Sequence, residues 1–227
     1  MLRISFYISG NVRFLATTLA SYCAILKSML TVFKPVIEQP LKPVARVLQH
    51  INPNLISLLG LVFPVLFFWA VMQEQYAWAL VAFVFNGVDL LDGMVARLSG
   101  NVTAFGGFLD STIDRFADFT VIAVFGFAGL VGWNIILPLL MLTYLISYMR
   151  SRTELAAKGK LTASVGIIER TERLLLVFIG LLLYAVFPNT QVGGQNVLGL
   201  TCLLLIALSV ITVAQRTAFA YQKLKDF

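Results

Sequence analysis

Charge is scarce in this chain: 12% of its 227 residues are Asp, Glu, Lys or Arg, while 59% are hydrophobic. That balance excludes a soluble domain and fits a polytopic membrane protein. Histidine is scarcer still, because His50 stands alone. A histidine-based metal centre is thereby excluded, and a catalytic histidine has no support. Cys23 and Cys202 sit in apolar surroundings with no partner spacing, which argues against a disulfide framework or a zinc site. The net charge of +6 is no nucleic-acid footprint, since the basic residues form no aromatic-interleaved patch, and no nucleic-acid partner is expected. Internal repeats and low-complexity segments are also absent.

What the chain does have is long apolar runs. Six are legible, at about 55–72, 76–97, 104–130, 133–148, 167–187 and 197–213. Pro64 should kink the first of them. Residues 14–32 could be taken for a signal peptide, but no clear cleavage site follows. Lys27 interrupts that run near its middle, which favours an amphipathic helix in the membrane interface over a seventh span. The expected architecture is an all-α integral membrane protein of six transmembrane helices, preceded by an N-terminal interfacial amphipathic helix. Residues 1–50 form the basic interfacial segment and 51–227 the six-helix domain.

The basic residues are distributed one-sidedly. Six precede Asn54, Arg97 and Arg115 flank the second turn, six run from Arg150 to Arg173, and three lie at the C-terminus, which accounts for all 17. The three intervening loops on the other side carry none. The positive-inside rule therefore places both termini in the cytoplasm and the protein in the cell membrane. Tyr76, Trp78, Trp133 and Tyr184 mark the opposite ends of the spans as an outer aromatic belt.

Against this background the stretch from Asp89 to Asp114 stands out. Asp89 and Asp92 are three residues apart and Asp110 and Asp114 four apart, so each pair shares one helical face. Ionisable side chains inside membrane segments are costly and mark function. Four clustered acids would repel one another unless cations sat between them. Oxygen-only ligation suits Mg²⁺ or Mn²⁺, and two carboxylates from each of two helices can hold two ions about 3.5–4 Å apart, an arrangement used for phosphoryl chemistry. The bland alternative is a pair of helices whose acids merely bridge arginines.

The full spacing is Asp-x2-Asp-Gly-x2-Ala-Arg-x8-Gly-x3-Asp-x3-Asp, from Asp89 through Asp92, Gly93, Ala96, Arg97, Gly106 and Asp110 to Asp114. It resembles the signature of the CDP-alcohol phosphotransferase family, without a gap or substitution. The resemblance implies a CDP-linked lipid donor, most often CDP-diacylglycerol, whose lipid-bearing phosphorus is attacked by an alcohol while CMP leaves. By motif position it makes Asp89, Asp92 and Asp110 metal ligands, and Asp114 both a ligand and the general base. It places Gly93, Arg97 and Thr103 on the donor's nucleotide and phosphates. Asn54 and Ser57, in a Pro-Asn-x-x-Ser segment, match a stretch that lines the nucleotide pocket in the family, although a plain helix N-cap would also explain them. Relatives are homodimers, and Gly126, Ala128, Gly129 and Gly132 would permit close helix packing.

The remaining cations bear on the acceptor. Arg170 and Arg173 lie one turn apart where the fifth span begins, Arg150 ends the fourth, and Arg216 ends the sixth. These segments look like those of the branch that uses inositol phosphate, the phosphatidylinositol phosphate synthases and their archaeal-lipid counterparts. There, three basic residues at the positions of Arg150, Arg173 and Arg216 hold the acceptor's phosphate, the first commonly being Lys. The alternative is salt bridging, for instance Glu169 with Arg173. Asp118 continues the face of Asp110 and Asp114 by a further turn and is expected to pair with Arg115 or an acceptor-site arginine. Glycerol 3-phosphate is the second acceptor candidate. A cation-coupled transporter is the reading from another class, though it leaves Gly93, Arg97 and the fixed spacing unexplained.

Overall fold

The computed structural model describes residues 39, 41–85 and 89–226, so the interfacial helix expected over 1–35 lies outside the described residues. The described chain begins with a short helix α1 (41–48), followed by α2 (Pro53–Gly60), α3 (Val62–Met72), α4 (Tyr76–Phe85) and α5 (Asp89–Ser99). Then come α6 (Ala104–Phe127), α7 (Trp133–Ala156), α8 (Arg170–Val186), a small hairpin of β1 (Gln191–Val192) and β2 (Gln195–Asn196), and α9 (Val197–Lys223).

The first expected span is interrupted for one residue at Leu61, whose backbone stays in the right-handed helical region, so Pro53–Met72 remains one span-length segment. Pro64 has no N–H for the carbonyl of Gly60, and its ring crowds that carbonyl, so α2 ends at Gly60 and α3 begins at Val62. The second expected span is represented by α4 and α5. Two helices outlast their apolar runs: α7 continues to Ala156 and α9 to Lys223. The Arg, Glu, Leu, Ala, Gln and Lys residues in these extensions are good helix formers, so the helix does not stop where the apolar run does. In the uncharged loop before α9, Gly193 and Gly194 both adopt positive φ (59° and 75°), as the tight turn of a two-residue hairpin requires.

Among the described residues, Pro53–Met72, Trp133–Ala156 and Val197–Lys223 are long and apolar enough to cross a membrane. Helix α6 matches α7 in length at 24 residues, but it carries Asp110, Asp114, Arg115 and Asp118. Helix α8 has 17 residues. The face of α2 and α3 that leaves the bundle is apolar, with Leu55, Leu58, Leu59, Val62, Val65, Leu66 and Trp69 exposed, as a lipid-facing surface would be.

The bundle divides into a dry half and a polar half. In the dry half α3, α4, α6, α7, α8 and α9 share one core, with Phe67 edge-on to Phe83 (5.5 Å) and Phe125 (6.2 Å). Tyr76 meets Tyr184 at 5.3 Å and Trp133 meets Phe127 at 5.0 Å, closing that end with aromatic pairs. Gly126 serves this packing: a Cβ there would come within 3.0 Å of the Trp133 ring. It is therefore committed inside the chain. A smaller core of Ala45, Ile56, Leu91, Met94 and Val95 ties α1 to α2 and α5. It supports the polar half, where the acids lie.

Candidate active site

The N-terminal ends of α2 and α6 and the length of α5 enclose a cavity of about 280 Å³. Asn54 and Ser57 line it from α2, Asp92, Gly93 and Arg97 from α5, and Thr103, Gly106 and Asp110 from the start of α6. With Ala96 of the motif, nine residues singled out in the sequence thus share one space. Asp92 is buried, and Ser57 Oγ donates a hydrogen bond to its Oδ2. Arg97 folds back along α5, its Nη1 lying 3.4 Å from where a Cβ of Gly93 would be. Gly106 is similarly constrained, since a Cβ would lie 3.1 Å from Thr103 Oγ1 and 3.3 Å from Asn54 Oδ1. Its missing side chain is what lets α2 and α6 meet at the cavity. Helix N-caps account for part of the local geometry: Asn52 accepts from the N–H of Asn54 at 3.0 Å, and Thr103 accepts from that of Gly106 at 3.0 Å. Asn54 itself is therefore not the cap of α2.

Asp114, one turn along α6, belongs to a second cluster. Arg170 Nη1 lies 2.7 Å from Asp114 Oδ1, and Arg115 Nη2 lies 3.6 Å from its Oδ2. A further turn on, Asp118 has a fully buried side chain and receives Arg173 Nη2 at 2.6 Å, Arg170 Nε at 3.3 Å and Arg115 Nε at 3.7 Å. Asp118 thus meets both kinds of partner expected of it, Arg115 and the arginines of α8. Arg173 pairs with Asp118, whereas Glu169 turns elsewhere: its side chain and that of Glu172 form the capping box that starts α8.

Arg216, 5% exposed, donates Nε to the carbonyl of Val165 at 2.8 Å and Nη1 to that of Ile146, and its Nη2 lies 3.8 Å from Glu169 Oε1. The same loop is held to α9 by Gln215, which accepts from the N–H of Ile167, and by Thr212, which accepts from that of Ile168. Arg150 is exposed and paired with Glu154 at 3.1 Å. Arg150 and Arg173 both lie close enough to Arg216 to interact with it electrostatically, as do Glu154 and Glu169. Arginines from α7, α8 and α9 therefore gather at one end of the bundle, with carboxylates between them.

Sequence reasoning passed over a neighbouring cavity of about 420 Å³. Gln49, His50 and Asn52 line it, and it shares Pro53, Asn54, Asn101 and Thr103 with the carboxylate cavity. Its walls come from the end of α1 and from the turn between α5 and α6, segments whose carboxamides read in isolation as turn and cap chemistry.

The donor set suits a hard divalent ion. Asp92 and Asp110 face one cavity from two helices and offer only oxygen. Among the described residues no group of three ligating side chains is already drawn together, and the side chain of Asp89 lies outside the described residues. The arrangement can therefore do two things chemically. It presents carboxylates and a guanidinium to a phosphate-bearing ligand in the cavity, and it presents clustered arginines to a second anion one helical turn away.

The profile of the CDP-alcohol phosphatidyltransferase family matches residues 50–219. The archaetidylinositol phosphate synthase of Pyrococcus horikoshii is 36% identical over 200 residues, covering 87% of this chain and 99% of that protein. The phosphatidylinositol phosphate synthase of Cutibacterium acnes is 33% identical over 207 residues, covering 83% and 95%. Among solved structures, the Mycobacterium tuberculosis phosphatidylinositol phosphate synthase with CDP-DAG bound superposes with a TM-score of 0.67 at 28% identity, covering 79% of this chain and 92% of that one. The same enzyme in complex with manganese and citrate gives 0.62 at 30% identity, covering 79% and 88%.

Proposed function

The chain belongs to the CDP-alcohol phosphatidyltransferase family, and from that premise we propose that it transfers a phosphatidyl group from CDP-diacylglycerol or a related CDP-linked lipid to inositol phosphate. The products are phosphatidylinositol phosphate and CMP, and the role is in phospholipid biosynthesis. Glycerol 3-phosphate is the alternative acceptor. The observation that carries the reading is the placement of Asp114 on α6, with the carboxylate cavity one turn before it and the arginines of α8 against it.

The donor's nucleotide lies by Asn54, Ser57 and Thr103, and its pyrophosphate crosses Gly93, where Arg97 binds phosphate oxygens in a fork. Asp89, Asp92, Asp110 and Asp114 would hold Mg²⁺ or Mn²⁺, two ions in all. Bound there, the ions would neutralise the pyrophosphate and stabilise charge on the transferring phosphoryl group. Ser57 fixes the rotamer of Asp92 through its hydrogen bond. The acceptor's phosphate is held by Arg150, Arg170, Arg173 and Arg216. Because Arg170 touches Asp114, an acceptor bound at Arg170 brings its hydroxyl beside the carboxylate that takes its proton. A free, uncharged alcohol would need no such cluster, whereas a phosphate carrying about two negative charges could not otherwise approach four acids.

The same reading places six spans in the cell membrane, formed by α2 with α3, α4 with α5, and α6 to α9. Both termini and the site face the cytoplasm, supported by the one-sided basic residues. Residues 1–50 act as an interfacial segment ahead of the catalytic domain over 51–227, and the enzyme works as a homodimer. The acceptor is tested by CMP release from purified protein with CDP-diacylglycerol and Mg²⁺. Inositol 1-phosphate should support turnover best and glycerol 3-phosphate less well. Turnover with free inositol or serine but neither phosphate would overturn the acceptor assignment.

A further inference from the structure

Asp118 falls outside the fixed motif, yet its side chain is fully buried. Burying a carboxylate is costly unless it is paired and hydrogen-bonded. Here the pairing is specific: one oxygen meets Arg173 Nη2 at 2.6 Å and the other meets Arg170 Nε at 3.3 Å. A guanidinium is planar and rigid, so fixing Nε fixes the direction in which the Nη atoms point. Arg170, anchored at Nε on Asp118, extends Nη1 to Asp114 at 2.7 Å. Arg173, anchored on the other oxygen, is itself almost fully buried and lies within electrostatic reach of Arg216. One carboxylate thus sets the orientation of two neighbouring arginines.

We propose that Asp118 is a positioning residue for the acceptor, holding Arg170 and Arg173 in the orientation in which they receive its phosphate beside Asp114. The proposal rests on the acceptor reading given above. Asp118 touches neither substrate. It lies a turn beyond Asp114, away from the cavity, and its removal should leave the donor site intact. A residue that only stabilised the bundle would alter donor and acceptor alike, or alter neither while lowering the unfolding temperature.

The test is a kinetic split between the two substrates in Asp118→Asn, which keeps shape and removes charge. The KM for inositol 1-phosphate should rise about tenfold or more, while the KM for CDP-diacylglycerol stays within about twofold. Combining Asp118→Asn with Arg170→Gln should raise the acceptor KM by less than the product of the two single effects, because the part of the Asp118 effect that runs through Arg170 is already lost while the part through Arg173 remains. Should the Asn variant fail to fold, Asp118→Glu keeps the charge but displaces it by one methylene, and is expected to show the same split in smaller degree. Phenylglyoxal labelling of Arg170, read by mass spectrometry without substrate, provides a measure independent of the acceptor's identity. It should be faster in the Asn or Glu variant than in the wild type. An unchanged acceptor KM, donor and acceptor KM rising together, or unchanged Arg170 labelling would overturn the proposal. A wild-type protein that turns over no phosphorylated acceptor would instead overturn the acceptor reading, and the labelling comparison would still decide the role of Asp118.

Discussion

Arg170 Nη1 on α8 lies 2.7 Å from Asp114 Oδ1 on α6, joining the last acid of the motif to the arginine cluster. If Asp114 is the general base, Asp114→Asn loses both the proton acceptor and a carboxylate ligand. Transfer should then fall by about 10²–10⁴-fold while CDP-lipid binding is retained. Single-turnover CMP release, alongside binding of CDP-diacylglycerol, checks this. Near-normal turnover would remove Asp114 from that role.

Ser57 offers a milder test of the carboxylate cavity. Its hydroxyl donates to Asp92, so Ser57→Ala leaves a buried carboxylate without that hydrogen bond. A hydrogen bond to a charged group is worth about 1.5–3 kcal/mol, and the loss should appear as a higher Mg²⁺ concentration for half-maximal rate. Saturating Mg²⁺ should restore much of the activity. A rate reduced equally at every Mg²⁺ concentration would place the effect of Ser57 elsewhere.

Metal removal gives the coarser version. An oxygen-only donor set binds hard ions, so chelation should abolish turnover, and Mg²⁺ or Mn²⁺ should restore it. Full activity after exhaustive chelation would exclude the proposed role of the four acids.

Gly126 makes a structural control far from the chemistry. A Cβ at this position meets the Trp133 ring at 3.0 Å, so Gly126→Leu overpacks the dry half of the bundle. The expected cost is about 1–3 kcal/mol of stability, measured by thermal unfolding in detergent, with the acceptor KM of the folded fraction unchanged.

The orientation can be tested with single cysteines. In a background lacking Cys23 and Cys202, cysteine at Thr190 should react with an impermeant maleimide in intact cells, and cysteine at Thr162 should not. The reverse pattern would invert the membrane topology and put the site on the other face.

How far the sequence carried depended on whether the relevant partners were close in the chain. The eight-position motif and the long apolar helices over Pro53–Met72, Trp133–Ala156 and Val197–Lys223 were legible because helical spacing and hydropathy are local properties. The convergence of Asn54 and Ser57 on the motif cavity rested on resemblance, and Gly106 now supplies its physical cause. The partners of Asp118 lie on α6 and α8, and no local pattern could say that Arg173 would choose Asp118 over Glu169. The one-residue interruption at Leu61 follows from Pro64, whose missing hydrogen bond falls on the carbonyl of Gly60 one turn earlier. Of the small residues that suggested a packing face, Gly126 accommodates Trp133, at the start of the next helix. The carboxamide-lined cavity beside Asn52 and Asn101 was hidden for the same reason, since each residue alone reads as turn chemistry.

The central claim is that a phosphorylated polyol enters the lipid with its own phosphate intact. It is tested most directly by supplying ³²P-labelled inositol 1-phosphate with CDP-diacylglycerol and Mg²⁺, then following the label into the organic phase. The expected result is label in a lipid bearing two phosphates, appearing in step with CMP and lost in Arg173→Gln at limiting acceptor. CMP release with all label remaining in the aqueous phase would contradict transfer to that acceptor.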